Sequence, residues 1–351
     1  MRHNNFDLRW QISSEGNADE LCNNLRTELS RRECPQAVLH RIVHAGLVQE
    51  EPQRLDDALL ARISHWAALA PLHNHLALRL IDTISQQCPQ VSQFAVFDSG
   101  LYARLPAVAS RYALPGDLSP LWPLRRYGFH GLAHRSQWRS VQQSNAVVGQ
   151  PMPRRLITLQ LGSGCSVTTW RDNQTIDTTM GFTPLEGVVM ATRSGSIDPG
   201  ILLHLLGNEG MTVAELSALL TKESGLAALA DGGGDMRRIL ALATAESEAA
   251  VHHFCMQIRK AVGAAIAVLG GVDAISIGGG IGEHQPQVRA GILDGLEELG
   301  IALDSTRNFA AQGLTALHHD DSRAQIWLTP VNEVTEMICQ YQKSMQVQEN
   351  K

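Results

Sequence analysis

Ala274-Ile-Ser-Ile-Gly-Gly-Gly-Ile-Gly-Glu-His284 is the stretch on which the fold turns. Ala274–Ile277 makes a short apolar strand, and the glycines behind it demand a turn rather than more strand. Upstream, Val251, Phe254, Cys255, Ile258, Val262, Ile266 and Leu269 recur at helical spacing, which predicts a long helix over Ala245–Leu269 with one apolar face. Downstream, Ile326–Thr329 is a second compact strand, ending at Pro330, Asn332 and Glu333. Helix, strand, glycine turn and strand in alternation define an α/β chain.

The same alternation extends toward the N-terminus. Leu156–Leu161 and Ser166–Trp170 predict a hairpin with a glycine tip, and Asp172-Asn173 turns the chain into Thr175–Thr179. Pro106–Tyr127 is rich in Pro, Tyr and Arg and reads as irregular. Before it, Phe6–Ile12, Val38–Val43 and Phe94–Phe97 are strand candidates. Asn17–Arg31, capped by Asn17, together with Leu55–Leu69 and Asn74–Gln87, read as helices. The organisation predicted is a first lobe over 1–150, a second over 151–335, and a C-terminal helix or tail over 336–351 that packs back on the first.

Composition narrows the function classes. Acids outnumber bases for a net charge of −6, with no basic run, which argues against a nucleic-acid partner. No stretch has the apolar length of a membrane helix, and the first residues lack the apolar segment of a secretion signal. Cys22, Cys34, Cys88, Cys165, Cys255 and Cys339 are scattered without a CxxC pair, so reduced thiols and a cytoplasmic setting are expected.

Several clusters sit just past strand ends, where open α/β sheets bind ligands. Gly278–His284 can turn backbone N–H groups toward a phosphate, although many strand-to-helix turns use glycine simply for backbone freedom. It fits neither a dinucleotide fingerprint nor a P-loop. Leu161-Gly162-Ser163-Gly164-Cys165-Ser166 could wrap a phosphate or be an ordinary tight hairpin. Arg193, amid hydroxyls and a glycine, could grip an anion bidentately, and Arg41 is a second such arginine. Asp98 and Glu333, each behind an apolar strand, could hold Mg²⁺ or cap a helix. The pairs His40/His44 and His130/His134 have the spacing of zinc ligands on a helix, against which stand the glycines around His130 and the β-like run at Val43.

Read together, these segments resemble the acetate kinase family. HRIVHAG at His40–Gly46, LAPLHN at Leu69–Asn74, AVFDSG at Ala95–Gly100, RRYGFHG at Arg125–Gly131 and LGSGCSV at Leu161–Val167 come in the family's order. TMGFTPLEGVVMATRSGSIDPG at Thr179–Gly200, TKESGL, DMR, GGGIGEH and PVNE follow, and the run from Met180 to Pro199 is the most distinctive. The resemblance implies a two-lobed fold of the actin, sugar kinase and Hsp70 type. It implies reversible transfer of the ATP γ-phosphoryl to acetate, giving acetyl phosphate and ADP, with Mg²⁺ and as a homodimer. Arg41 and Arg193 would hold carboxylate and phosphoryl, Asp98 would position acetate, His130 would stabilise the moving phosphoryl, and Glu333 would hold Mg²⁺. Val43, Leu72, Phe129 and Pro184 would form the acyl pocket, sized for acetate yet open to propionate. Gly162, Ser163, Gly164, Asp235, Met236, Arg237, Gly280, Ile281, Gly282 and His284 would bind the nucleotide.

The chain also departs from that family. The strand and Asn-x-Gly-Ser-Ser-Ser-x-Lys loop that open the family find no match, so a truncated first lobe is expected. Gln160, Ser163 and His284 stand where the family has histidine, asparagine and asparagine, Leu132 and Ala133 replace a hydroxyl pair, and Ala45 replaces a glycine. A catalytically impaired relative that binds nucleotide and carboxylate without turnover is the alternative these changes raise.

Overall fold

The structure, a computed structural model, describes residues 18–349 except 47, 48, 117, 120 and 121. The expected Phe6–Ile12 strand and Asn17 cap lie outside the described residues, as does the side chain of Leu72. The chain divides into two compact units: one runs to Gly100 and takes in the segment from Glu333 onward, and the other is Leu101–Asn332. No helix among the described residues is long and apolar enough to cross a membrane.

The first unit has three strands, β1 (Ala37–Ile42), β2 (Gln53–Arg54) and β3 (Ser92–Phe97), in the order β1-β3-β2. β1 runs parallel to β3 with Arg41 opposite Val96 and Ile42 opposite Phe97, while β2 is antiparallel. Parallel pairing requires a crossover, and the helices Asp57–Trp66 and Pro71–Gln87 supply it. Asp56 caps the first through Leu59 N–H, and Pro71 opens the second, where no backbone donor is missed. Ile42, Ala45, Leu59, Ile63, Ile81, Ala95 and Phe97 form the core between them. Helix Glu333–Glu349 sends Tyr341 edge-on to Phe94 at 4.9 Å.

One expectation fails in this unit. Cys34 and Cys88 form a disulfide across 54 residues, with Cα atoms 5.8 Å apart, so these two are not free thiols. The bridge ties the entry to β1 to the end of helix Pro71–Gln87, and closing a loop of that length is worth roughly 4 kcal/mol on chain-entropy grounds. Cys22, Cys165, Cys255 and Cys339 are free.

The second unit is built on six strands: β4 (Arg155–Leu161), β5 (Cys165–Arg171), β6 (Gln174–Thr178), β7 (Ala274–Gly278), β8 (Thr315–Ala316) and β9 (Gln325–Leu328). Their order is β6-β5-β4-β7-β9-β8, with β4, β7 and β9 parallel and the others antiparallel at the flanks. The hairpin closes with Leu161 opposite Cys165, leaving Gly162-Ser163-Gly164 as its tip. Helix Ala245–Leu269 takes the predicted bounds because Thr244 and Ser247 make a capping box at one end and left-handed Gly270 stops the other. Phe254, Cys255, Ile258, Val262 and Leu269 are buried along it as the spacing required. The parallel strands β4 and β7 end side by side, with Gln160 opposite Gly278, and this registers the hairpin tip against the glycine turn.

Candidate functional site

In the first unit the register of β1 and β3 brings Arg41 to Asp98. Arg41 Nη2 lies 3.3 Å from Asp98 Oδ2 and its Nε 3.5 Å from Glu333 Oε2, at the first residue of helix Glu333–Glu349. Burial alone would lower the Arg41 value, but the two carboxylates outweigh it and hold the guanidinium charged. Burial raises the Glu333 carboxyl, Arg41 draws it down, and neighbouring Asp98 pushes it up. Among the described residues no group of three or more His, Cys, Asp or Glu converges as a metal cage. Two carboxylates are nevertheless the donor set that Mg²⁺ takes when phosphates supply the rest, so Asp98 and Glu333 fit that ion.

The turn behind β1 is fixed from beneath. Asn74 accepts from His44 N–H at 3.3 Å, and the His44 ring stacks on Trp66 at 4.8 Å. Val43 is buried. His40 lies on a strand, not a helix, and its Nε2 donates to Gln93 Oε1 at 2.7 Å. Burial brings His40 down to about 4, against which the Gln93 contact works. The zinc reading of His40 and His44 therefore has no support in the geometry.

In the second unit the hairpin tip is the focus. A methyl group placed on Gly164 would stand 2.9 Å from His130 Nε2 and 3.4 Å from Arg193 Nη2, so the glycine leaves room for both side chains to reach the tip. His130 is the left-handed residue that opens helix Gly131–Val147, with φ of 58°, and its Nδ1 is 2.9 Å from Ser166 Oγ. Arg193 Nη1 donates to the Pro184 carbonyl at 2.8 Å. Ala191 N–H donates to Ser163 O at 3.1 Å, which joins the Arg193 loop to the tip.

The remaining nucleotide candidates surround this tip. Gly279 adopts φ of +79°, and a side chain there would meet the Leu161 carbonyl at 2.7 Å. Gly280 is exposed with open space where a side chain would go. Ile281, Gly282 and His284 belong to the short helix Gly279–His284, with His284 at its exposed end. Asp235 caps the next segment through Arg237 N–H and pairs with Arg237 Nη2 at 2.7 Å, while Met236 is packed into the core. Gly234 packs against the Ala191 backbone, bringing Asp235 up to the Arg193 loop. Phe129 is also buried. Burial pushes the Cys165 thiol up to about 12, so it is no nucleophile at neutral pH.

Three supporting residues escaped the sequence reading. Glu186 accepts from Arg126 Nη2 at 2.7 Å and from the Tyr112 hydroxyl, and so ties the segment before His130 to the Arg193 loop. Arg289 is buried and donates through Nη1 to the Gly282 and Glu283 carbonyls at 2.8 and 3.0 Å, satisfying the end of the glycine-turn helix. Ser166 orients His130. Ser166 and Glu186 lie inside quoted motifs, whereas Arg289 carried no local signal.

Glycine turns at parallel strand ends, beside an arginine and a histidine that border one backbone tip, define an α/β protein with a geometry suited to phosphate. The profile of the Acetokinase family matches residues 13–340. The acetate kinase of Bacteroides fragilis is 39% identical over 300 residues, covering 85% of this chain and 75% of that protein. The structure of Porphyromonas gingivalis acetate kinase aligns with a TM-score of 0.82 at 29% identity, over 93% of this chain and 84% of that one. A propionate kinase from Francisella tularensis aligns with a TM-score of 0.83 at 32% identity, over 93% and 83%. The chain belongs to the acetokinase family.

Proposed function

We propose that this protein is an acetate kinase, transferring the γ-phosphoryl of ATP reversibly to acetate. The observation that carries the reading is the shared tip in the second unit, where His130 Nε2 and Arg193 Nη2 both border Gly164. Phosphoryl transfer asks for positioning and charge stabilisation more than for covalent chemistry, and these two groups offer both. Gly162–Gly164, Asp235–Arg237 and Gly280–His284 take the nucleotide.

The first unit handles the acid. Arg41 binds the carboxylate and Asp98 positions it; no base is needed, since a carboxylic acid is already ionised at neutral pH. Val43 and Leu72 in this unit would limit the acyl chain. Mg²⁺ would be held by Glu333 with Asp98, where it would supply charge neutralisation. We read the two units as the family's two lobes, the working form as a homodimer, and the setting as cytoplasmic, where the Cys34–Cys88 bridge would face reduction.

The test is acyl phosphate formation by the purified chain with ATP and Mg²⁺, trapped as hydroxamate. Acetate is expected to give product. Absence of product with ATP still raising the melting temperature would replace the enzyme by a non-catalytic binder. The similarity to the Francisella tularensis propionate kinase supports a second reading, propionate kinase, and a higher kcat/KM with propionate than with acetate would select it.

A further inference from the structure

His130 and His134 are joined by more than helical spacing. His134 is fully buried, with Nε2 2.8 Å from Ser166 Oγ and Nδ1 2.7 Å from Thr158 Oγ1. Ser166 Oγ in turn lies 2.9 Å from His130 Nδ1. Thr158 Oγ1 receives the Trp170 indole N–H at 2.9 Å and has the Thr168 carbonyl at 3.5 Å. Thr158 on β4, and Ser166 and Trp170 on β5, all lie on one face of the ladder, since their register partners are spaced by two. They are buried as well, so their polar atoms find their partners inside the protein.

The direction of that sharing follows from one residue. An indole only donates, so Thr158 accepts from Trp170 and has a single proton to give. His134 Nδ1 at 2.7 Å sits at the optimum for a hydroxyl donor, whereas the Thr168 carbonyl at 3.5 Å is at the limit. The proton goes to His134 Nδ1. A neutral His134 then carries its own proton on Nε2 and donates it to Ser166. Ser166 passes its hydroxyl proton to His130 Nδ1, and a neutral His130 is left with its proton on Nε2, the nitrogen beside Gly164.

We infer that Trp170, Thr158, His134 and Ser166 form a one-way hydrogen-bond relay that fixes His130 as its Nε2–H tautomer. The imidazole thereby offers the tip a donor rather than a lone pair, which an anion would repel. Chains of this kind strengthen one another in a low-dielectric interior. The backbone is held to match: the Tyr102 hydroxyl donates to the Phe129 carbonyl at 2.9 Å and is 2.8 Å from Thr168 Oγ1, which donates to it. Gly128 takes φ of +74° against the Tyr102 ring, so the peptide preceding His130 cannot rotate freely. Ser166 and His134 are positioning residues. Their value to catalysis rests on the proposed role of His130 at the phosphoryl group, but the tautomer itself does not.

The experiment is a long-range ¹H–¹⁵N correlation on the full chain with labelled histidine, at about pH 8, above the ordinary histidine value near 6.5. The signals that vanish in His130→Gln and His134→Gln assign the two rings. Both are expected as Nε2–H tautomers, and an Nδ1–H pattern at either ring overturns the relay whether or not the chain makes acyl phosphate. Ser166→Ala adds a kinetic readout. It should lower kcat by about 10- to 100-fold, the range for losing an outer hydrogen bond that orients a working imidazole, with little change in KM for ATP. An unchanged kcat in that variant, with the wild type active, would overturn the positioning role of Ser166.

Discussion

The two units arrange their charged and polar groups in opposite ways. The first places a formal cation, Arg41, between the Asp98 and Glu333 carboxylates, so its anion site is already occupied by charge. The second places neutral dipoles around a backbone tip, the Ser166 and His134 relay and the glycine N–H groups, together with one cation, Arg193, whose Nη1 contact is a carbonyl rather than a carboxylate. A charge cluster exchanges partners when ligand or metal arrives and is costly to break. An oriented dipole array is cheap to leave empty and is effective only where its geometry is held. The first arrangement suits a small carboxylate and Mg²⁺, and the second suits a phosphoryl group whose charge grows during transfer.

The largest expected effect comes from removing the cation of the second unit. Arg193→Ala should cut kcat by about 10²–10³-fold, the cost of losing one preorganised group at developing charge, with KM for ATP changed far less. Arg193→Lys should recover little, since an ammonium cannot both donate to the Pro184 carbonyl and present a planar second nitrogen at the tip. Equal losses in turnover and ATP affinity would erase the contrast between the units. In the first unit the penalty should appear in stability as well. Arg41→Ala leaves Asp98, 1% exposed, beside Glu333 without its counter-charge. The expected cost is about 3 kcal/mol, the lower end for an orphaned buried charge because Arg41 itself is one-third exposed. Urea unfolding at neutral pH measures it, and a loss below about 1 kcal/mol would mean the pair behaves as a surface bridge.

What the sequence disclosed follows range. Helix Ala245–Leu269, the strands around it and the Gly162–Gly164 tip were legible because periodicity and turn chemistry act over a few residues. Arg41, Asp98, His130, Arg193 and Glu333 stood out because each adjoins a strand end or a glycine turn. The Cys34–Cys88 bridge spans 54 residues, and Tyr112 reaches Glu186 across 74, so no local pattern announces either. The histidine pair misled in an instructive way. Spacing of four suggests shared ligation on a helix, but His130 is a left-handed cap, and its partner hydroxyl arrives from β5, 36 positions away. Arg289 looks like any charged helix residue until the carbonyls it serves are seen to be buried with it.

The smallest effect expected on the fold is also the sharpest test of the dipole array. Gly279 and Gly280 are adjacent, yet only the first is constrained, since φ of +79° and the nearby Leu161 carbonyl exclude a side chain there. At Gly280 a methyl group meets nothing within 4 Å, and the residue opens outward at the start of a helix that alanine favours. Gly280→Ala should therefore leave stability within about 0.5 kcal/mol of wild type, as surface changes do. If the glycine turn carries phosphate by close backbone approach, the same methyl group should raise KM for ATP several-fold, because the space it fills is where the nucleotide would lie. Stability held and nucleotide affinity lost would assign that space to ligand. Both unchanged would move the nucleotide off the Gly280 turn, leaving the Gly162–Gly164 tip as its phosphate contact in the second unit.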